Sequence, residues 1–471
     1  MGKRLTGKMD RNERGFGFLI PDDPQLDDVF IPPGRLKGAM TDDRIEVEVR
    51  KDGEGKKSVG HVVAILDRGV KTLIGTVKIT PEKTVVIPDS VRLGEPLRVP
   101  DQYEKSRVED GQLVEVEIQN YSPLEGIITE VLGDPDDPAV DQKVILKKYD
   151  LNLDFSESVE KTAENLPDLV PDKALKNRED LTDLTVLTID PHDAKDLDDA
   201  VSVEELNNGN YRVGVHITDV DYFVEEGGIL DEEARERGTS AYLADEVVPM
   251  FPKAFSNGVG SLDQDVIRLT ITVFLTIDRE GKVVDEDFTI SYINVDQRLS
   301  YQQVDDFLDS DKSASEDVLA VQETIEDMID ISQTMRSRRI GRGSLDFDLP
   351  EVSLQCQEGE VEEIIHVEHT ESHQAIEEFM IAANEAVARE LRDQKIPTLY
   401  RIHEPPARED VESFSNFVKG LGYTLSVKSK VHPGSFQQIL GQSKGCPEEK
   451  VIAWNMLRSM QKARYSPENV G

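Results

Sequence analysis

The first 150 residues alternate between hydrophobic and polar positions with a period of two, and glycine turns interrupt the alternation. The segments GFGFLIPDD and DVFIPP lie before residue 67, and TLIGTVKI, KTVVIPD and LEGIITEVLG follow. A period of two is typical of half-buried β-strands, and many short strands with turns between them are typical of small barrels. The pattern therefore predicts two consecutive all-β domains, residues 1–66 and 67–150.

Beyond these domains the pattern changes. Residues 151–183 are charged and predict a helical linker, and residues 184–471 mix both periods. RLTITVFLTID and VDEDFTISYINV predict two long antiparallel strands, whereas ESHQAIEEFMIAANEAVARELRDQ predicts an amphipathic helix. Two small barrels followed by a larger α+β body is a layout found in nucleic-acid enzymes.

Two local predictions concern a loop and a core residue. GDPDDPAVD, which begins at Gly133, is rich in proline and aspartate and predicts a loop. Trp454 is the only tryptophan, and its position on an apolar helix face predicts that it lies in the core.

The segment TIDPHDAKDLDDA concentrates acidic residues between two predicted strands. Five aspartates fall within ten positions: Asp190, Asp193, Asp196, Asp198 and Asp199. One interpretation is a solvated acidic loop. The apolar flanks favour another, because carboxylates between sheet strands are desolvated and then need a cation. Oxygen ligands suit Mg²⁺ or Mn²⁺. A calcium loop of the EF-hand type fails on spacing, since Lys195 and Val201 stand where glycine and glutamate are required.

The overall composition narrows the class of protein. The net charge is −40, which counts against nucleic-acid binding by global attraction but leaves room for a local basic groove. The two cysteines, Cys356 and Cys446, form no disulfide framework, which fits a reducing cytoplasm. We find no secretory signal and no apolar run of about eighteen residues, so we expect a cytoplasmic protein without a membrane span.

Aromatic residues in the first domain have two interpretations. Phe16, Phe18 and Phe30 could stack on bases at the barrel surface or fill the barrel core. The interleaved glycines favour the binding surface, because glycine adds no side chain beside a stacked base. A basic cluster at a helix end is equally open: it could follow an RNA backbone or lie solvated at the surface. It comprises Arg336, Arg338, Arg339 and Arg342.

The segment TIDPHDAKDLDDAVSV resembles the catalytic signature of the RNB family, the exoribonucleases of the ribonuclease II and ribonuclease R type. YRVGVHITDV, ERGTSAYLADEVVPMFP, LSYQQVDD, LDFDLPE, IEEFMIAANEAVA and LYRIHEPP extend the resemblance in order, and GFGFLIPDD with DVFIPP is similar to the family's cold-shock domains. The resemblance implies a multidomain protein. Two N-terminal OB-fold, cold-shock-like barrels precede an α+β RNB catalytic domain at residues 184–471.

The resemblance also implies an activity: processive 3′→5′ hydrolysis of RNA to nucleoside 5′-monophosphates, with Mg²⁺ or Mn²⁺, in RNA decay and processing. The partner is the single-stranded 3′ end of RNA, the chain is expected to be a monomer, and no residue establishes association with a helicase or the ribosome. The signature aspartates match Asp190, Asp196, Asp198 and Asp199. We interpret Asp190 and Asp199 as principal metal ligands, Asp198 as the residue that orients or activates water, and Asp196 as completing the shell.

Further substrate contacts follow from the same resemblance. Tyr242 matches a tyrosine that packs against the last nucleotide, Phe347 an aromatic residue of the RNA channel, and Glu378 (or its neighbour Glu377) an acid near the site. In the family the chain continues beyond ARYSPENVG to an arginine-bearing segment and a C-terminal OB domain. We therefore expect a truncated enzyme, and the alternative is a catalytically impaired RNA-binding fragment.

Overall fold

The computed structural model describes residues 3–12, 15–23, 25–51, 58–89, 96–100, 108–243, 246–309, 312–347, 349, 351–357, 360–425 and 432–470. By its contacts the chain divides into two units. The first comprises residues 1–153 with 242–248 and 356–362, and the second comprises the remainder.

The first unit contains two closed five-stranded barrels, with strand orders β1-β2-β3-β5-β4 and β10-β8-β7-β6-β9. The strands are β1 (Lys3–Arg11), β2 (Gly17–Pro21), β3 (Val29–Ile31), β4 (Arg44–Lys51), β5 (Ser58–Asp67), β6 (Thr72–Thr80), β7 (Lys83–Pro88), β8 (Leu97–Val99), β9 (Leu113–Tyr121) and β10 (Leu124–Gly133). Alternate residues face inward, so that Leu19 and Ile45 are fully buried in the first barrel and Val86 and Val114 in the second.

A helix follows the second barrel where a loop was predicted. Helix α1 (Pro138–Lys148) begins inside GDPDDPAVD. The side chain of Asp137 caps it by accepting a hydrogen bond from the backbone N–H of Ala139 at 3.0 Å. Proline at the first helical position and aspartate at the N-cap are signals that start a helix, so the loop prediction was wrong for this part of the segment.

The second unit is built on a seven-stranded sheet with the order β11-β18-β17-β14-β13-β12-β19. The pairs β12–β19 and β11–β18 are parallel, and the central pairs are antiparallel. The sheet strands are β11 (Glu179–Asp180), β12 (Leu187–Asp190), β13 (Asp199–Glu205), β14 (Tyr211–Thr218), β17 (Ile267–Ile277), β18 (Val283–Asn294) and β19 (Gln297–Ser300). Three short two-stranded sheets among the described residues are β15 (Ala241–Tyr242) with β16 (Val247–Val248), β20 (Glu351–Gln357) with β21 (Glu360–Val367), and β22 (Tyr400–Ile402) with β23 (Arg464–Ser466).

Helices pack against this sheet and form a second core near the C-terminus. The remaining α-helices of the described residues are α2 (Glu157–Glu164), α3 (Ile229–Arg237), α4 (Tyr301–Leu308), α5 (Glu316–Ala320), α6 (Gln322–Gly341), α7 (Glu371–Asp393), α8 (Arg408–Gly420), α9 (Pro433–Ser443) and α10 (Glu449–Ser459). Ile325 of α6 and Phe379 of α7 are fully buried with the sheet residues Leu187 and Val213. None of the described helices is long and apolar enough to span a membrane.

The last three helices pack on one another through Phe414, Phe436 and Ile452. Trp454 lies on the other side of α10 and is 50% exposed, so the prediction that it belongs to the core was wrong. Helix α10 does have an apolar face that is buried, but this face carries Ile452 and Met456 and does not include Trp454. The predicted fold class, two OB-type barrels followed by an α+β domain, is confirmed. The domain limits at residues 66, 150 and 183 stay predictions.

Candidate active site

The signature aspartates lie at one end of the seven-stranded sheet. Asp190 is the last residue of β12, and Asp199 is the first residue of β13. The two strands are antiparallel neighbours, with Leu187 opposite Val201, so both carboxylates stand at the same end of adjacent strands. The loop between them carries Asp196 and Asp198.

One buried leucine holds this loop in place. Leu197 is fully buried, its N–H donates to Ser261 Oγ at 3.2 Å, and its carbonyl accepts from the Leu262 N–H at 2.9 Å. The carbonyl of Asp198 accepts from the N–H of Thr218 on β14 at 3.0 Å. The residues on either side of Leu197, Asp196 and Asp198, are exposed. Burial of Leu197 therefore turns both neighbouring acids outward.

The carboxylates raise one another's pKa. Burial and the nearby Asp199 raise the pKa of Asp190 to about 7, while the guanidinium of Arg298 opposes this shift. The surrounding protein and the charges of Asp196 and Asp199 raise the pKa of Asp198 to about 6, although this residue as a whole is exposed. Burial also raises the pKa of Asp199. The cluster thus holds more negative charge than the surrounding protein stabilises.

The donor set fits a divalent metal. Asp190 Oδ2 is buried and accepts no hydrogen bond from the described part of the chain. A buried carboxylate oxygen without a donor is costly, and a cation would satisfy it. No group of three or more His, Cys, Asp or Glu side chains among the described residues is arranged to hold a metal ion. Mg²⁺ is commonly bound by one or two carboxylates with water and substrate phosphates, so an incomplete cage is compatible with that ion.

Three residues beside the cluster were not predicted from the sequence. Tyr301 begins helix α4, and burial together with Asp190 and Asp199 raises its pKa to about 12. His373 of α7 stacks on the Tyr301 ring, with centroids 3.8 Å apart and an interplanar angle of 14°. Arg298 of β19 donates to the carbonyl of Ala194 in the aspartate loop. Tyr301 lies in the block LSYQQVDD, which directly follows Arg298, whereas His373 lies outside that block. The sequence alone does not show that β19 pairs with β12.

The buried polar residues behind the site form a network across the sheet. His216 is fully buried, with Nε2 3.0 Å from Ser202 Oγ and Nδ1 2.8 Å from Thr272 Oγ1. Thr272 continues to Ser291 Oγ at 2.6 Å. Burial lowers the pKa of His216 to about 3, so the ring is neutral. This position in the core agrees with a structural rather than a catalytic histidine.

The predicted substrate residues lie on different elements of the chain. Tyr242 is 70% exposed at the end of β15 and belongs to the first unit, whereas the aspartates belong to the second. Phe347 is half-buried and packs against the core of the C-terminal helices. Their predicted contacts with RNA stay predictions.

Glu378 is only 2% exposed, and its carboxylate is bound by Arg339. Its neighbour Glu377 has a side chain that is 39% exposed and lies 3.2 Å from His369 Nε2. Of the two acids, Glu377 is the more accessible to a ligand, and the substrate role of either stays a prediction.

The aromatic residues of the first barrel form a half-buried cluster outside its core. The ring centroids of Phe16, Phe18 and Phe30 lie 5.6–5.8 Å apart, with tilted or edge-on geometry. The core interpretation is therefore wrong for these three residues. Gly17 does not serve a binding surface, contrary to the prediction, because a Cβ there would lie 2.2 Å from Met9 Cε. Gly17 permits close packing inside the barrel.

The fold and the carboxylate cluster together define the class, a two-barrel protein with an RNB-type α+β domain. Residues 178–471 match the family described as RNB domain, residues 7–65 match the ribonuclease B OB domain, and residues 86–156 match the cold shock domain. The chain belongs to the RNB-domain family.

Relatives extend over nearly the whole chain. Ribonuclease R of Thermotoga maritima is 37% identical over 99% of this chain, and the chain spans 66% of that relative's length. The structure of Mycoplasma genitalium RNase R in complex with ribose-methylated single-stranded RNA is 26% identical, with a TM-score of 0.87, and the match covers 98% of this chain and 74% of that one. Yeast Ssd1, described as a pseudonuclease, shares the fold at 19% identity, with a TM-score of 0.75 over 98% of this chain and 64% of Ssd1.

Proposed function

We propose that this chain is the barrel-and-catalytic part of a metal-dependent 3′→5′ exoribonuclease that hydrolyses single-stranded RNA processively to nucleoside 5′-monophosphates. The observation that carries the proposal is the aspartate cluster, in which a buried oxygen of Asp190 has no hydrogen-bond donor in the described part of the chain. The family relationship supports it, since RNB nucleases generally depend on divalent metals.

The residues fit the chemistry of phosphodiester hydrolysis. Asp190 and Asp199 would hold Mg²⁺ or Mn²⁺, which neutralises charge on the phosphate and lowers the pKa of a bound water. Asp198, with a pKa of about 6, is largely ionised at neutral pH and would accept a hydrogen bond from the attacking water. Arg298 favours the ionised form of Asp190. Asp196 would add further negative charge for the ion.

The aromatic cluster of the first barrel fits binding without sequence preference. Every base has a π-face, so stacking on Phe16, Phe18 or Phe30 tolerates any sequence. Such contacts suit an enzyme that degrades RNA in general.

The alternative is an RNA-binding protein without catalysis. The fold shared with yeast Ssd1 shows that this architecture also occurs in a protein described as a pseudonuclease. The retained aspartate set favours the enzyme, because a mutually repelling cluster is costly to keep without a metal to bind.

The test is a digest of 5′-labelled single-stranded RNA with Mg²⁺, with and without EDTA, on gels that resolve single nucleotides. We expect a ladder that shortens from the 3′ end, release of 5′-monophosphates, and complete inhibition by EDTA. Dilution with unlabelled RNA after the start distinguishes processive from distributive cleavage. RNA that is bound but remains uncut would support the alternative.

A further inference from the structure

A concave pocket of about 310 Å³ lies between the C-terminal end of α6, the middle of α7 and the turn that joins β17 to β18. Five of its thirteen lining residues are lysine or arginine, whereas the whole chain has 54 among 471. These cations are Lys282, Arg338, Arg339, Arg342 and Arg389. The pocket is therefore locally basic in a protein whose net charge is −40.

Three acidic side chains in the pocket are already neutralised. Glu378 is bound by Arg339, and Glu286 Oε1 lies 2.6 Å from Arg389 Nη2. Glu385 forms the weakest of the three pairs, 3.9 Å from Arg342 Nη2. Each of these acids is thus paired with an arginine of the pocket lining, and Glu378 also lies 3.8 Å from Arg336 Nη1, outside the lining. Two of the five lining cations are left over.

The remaining cations are Arg338 and Lys282. Both are exposed, and neither forms an ion pair within the described part of the chain. Two like charges lining one concavity repel each other, and a bound anion removes that repulsion.

The pocket is separate from the aspartate cluster. Across the sheet, Val283 pairs with Ile277, which pairs with Tyr211, which pairs with Glu205. Asp199 stands six residues before Glu205 on β13. At the rise of a strand, this end of the pocket lies roughly 20 Å along the sheet from the aspartates.

We propose that this pocket binds the phosphate group of a small ligand, of which inorganic phosphate and a nucleoside monophosphate are the two sources. Guanidinium groups match the geometry of phosphate oxygens and form charge-assisted hydrogen bonds with them. The volume lies at the lower end of the range of about 300–1,000 Å³ for small-molecule sites, which suits a ligand no larger than a mononucleotide. The site does not depend on the proposed hydrolysis.

The test is isothermal titration calorimetry of the full chain in EDTA at constant ionic strength, so that binding through a metal at the aspartates is absent. The ligands are inorganic phosphate, adenosine 5′-monophosphate and adenosine. We expect the monophosphate to bind, with inorganic phosphate competing, and adenosine to give no heat. Competition by phosphate together with tighter binding of the monophosphate would identify the nucleotide as the ligand, and equal binding would identify the free anion.

Variants that should weaken binding and one that should strengthen it test whether the ligand binds in this pocket. Arg338→Gln and Lys282→Gln each remove one unpaired cation and should weaken binding by about tenfold, the loss expected for one charge-assisted hydrogen bond. Glu385→Gln removes an acid and releases Arg342, and it should strengthen binding. The matched control is Arg458→Gln, because Arg458 is an exposed arginine in the last turn of α10, as Arg338 is in the last turn of α6.

Circular dichroism of each variant checks folding, and the gain expected for Glu385→Gln cannot arise from unfolding. The proposal is overturned if the wild-type chain binds neither phosphate nor the monophosphate. Equal binding of adenosine, or equal weakening by Arg458→Gln, would also overturn it.

Discussion

The guanidinium of Arg339, on α6, holds the carboxylate of Glu378, on α7, with Nε 3.0 Å from both carboxylate oxygens. Arg339 also donates to Ser344 Oγ at 2.7 Å. Because Glu378 is only 2% exposed, the pair joins the two helices that cover the sheet and leaves the acid no access to water. The pair therefore contributes to stability through the cost of leaving either charge alone.

Replacing Arg339 should be strongly destabilising. Arg339→Met removes the hydrogen bonds to the buried Glu378 carboxylate and leaves it only Arg336, 3.8 Å away, so we expect the free energy of unfolding to fall by about 3 kcal/mol. Urea denaturation measures this change. The control is Arg408→Met, whose pair with Glu412 is exposed and should contribute about 0–1 kcal/mol. A similar small loss for both variants would contradict the structural role of the Arg339–Glu378 pair.

Turnover should depend on Asp198 but not on Asp193. Asp198→Asn removes the carboxylate expected to orient water, so the RNA digest should stop while RNA binding, measured by fluorescence anisotropy, persists. Asp193 is an exposed acid of the same loop and is not one of the four aspartates that match the signature, so Asp193→Asn should leave cleavage within about twofold of the wild-type rate. Full cleavage by Asp198→Asn would refute the site.

The stability of the metal-free protein should fall as the pH rises from about 4 to about 7. The pKa of Asp190 is raised to about 7 and that of Asp198 to about 6, so the folded state binds protons more tightly than the unfolded state in this window. Their contribution to the free energy of unfolding is fully present below pH 3.8, the pKa in the unfolded chain. It is lost as the pH rises through the pKa values of the folded state, about 6 for Asp198 and about 7 for Asp190. Thermal melts in EDTA across this range test the trend.

Two additions sharpen this pH experiment. Asp190→Asn should stabilise the metal-free protein at pH 8 by on the order of 2 kcal/mol, after allowance for solvent screening. Mg²⁺ should stabilise the wild-type chain most above pH 7, because the ion competes with protons for the same oxygens. The Asp193→Asn variant serves as the control, and a melting temperature that is independent of both Mg²⁺ and Asp190 would contradict the cluster.

The buried network around His216 should be sensitive to loss of one hydroxyl. Thr272→Val leaves His216 Nδ1 and Ser291 with one partner fewer, at a cost of about 1–3 kcal/mol. Thr289 lies opposite Thr272 on β18 and is half-buried, so Thr289→Val is a matched control with little expected effect. The pKa of His216, lowered to about 3, predicts a further loss of stability as the pH falls below 6.5, because the unfolded chain then takes up a proton that the folded ring excludes.

RNA affinity should depend on the aromatic cluster of the first barrel. Phe18→Ala removes one stacking surface, and we expect a loss of about 1–3 kcal/mol in binding of single-stranded RNA. Ile20→Ala, on the same strand and 45% exposed, removes apolar surface of another kind and should have little effect. Equal losses for the two variants would indicate a general effect on the barrel.

Much of the architecture could be read from local patterns. A period of two predicted both barrels, because alternate residues of a strand face opposite sides and one side must be buried. The ordered blocks around TIDPHDAKDLDDA predicted the family and the four aspartates. Local patterns were less informative at Gly17 and Trp454, where the deciding contacts come from residues outside the pattern.

The sequence by itself determined the two barrels, the α+β class and the concentration of carboxylates between two strands, since these depend on neighbouring residues in the chain. Only the tertiary structure decided which carboxylate oxygen lacks a donor, because that depends on how β12, β13 and β19 pair. Only folding brings Lys282 into one pocket with Arg389, more than a hundred positions away. Positive charge is concentrated in this pocket although the whole chain has a negative net charge. Which side chains lie close together depends on packing, whereas composition gives only the total charge.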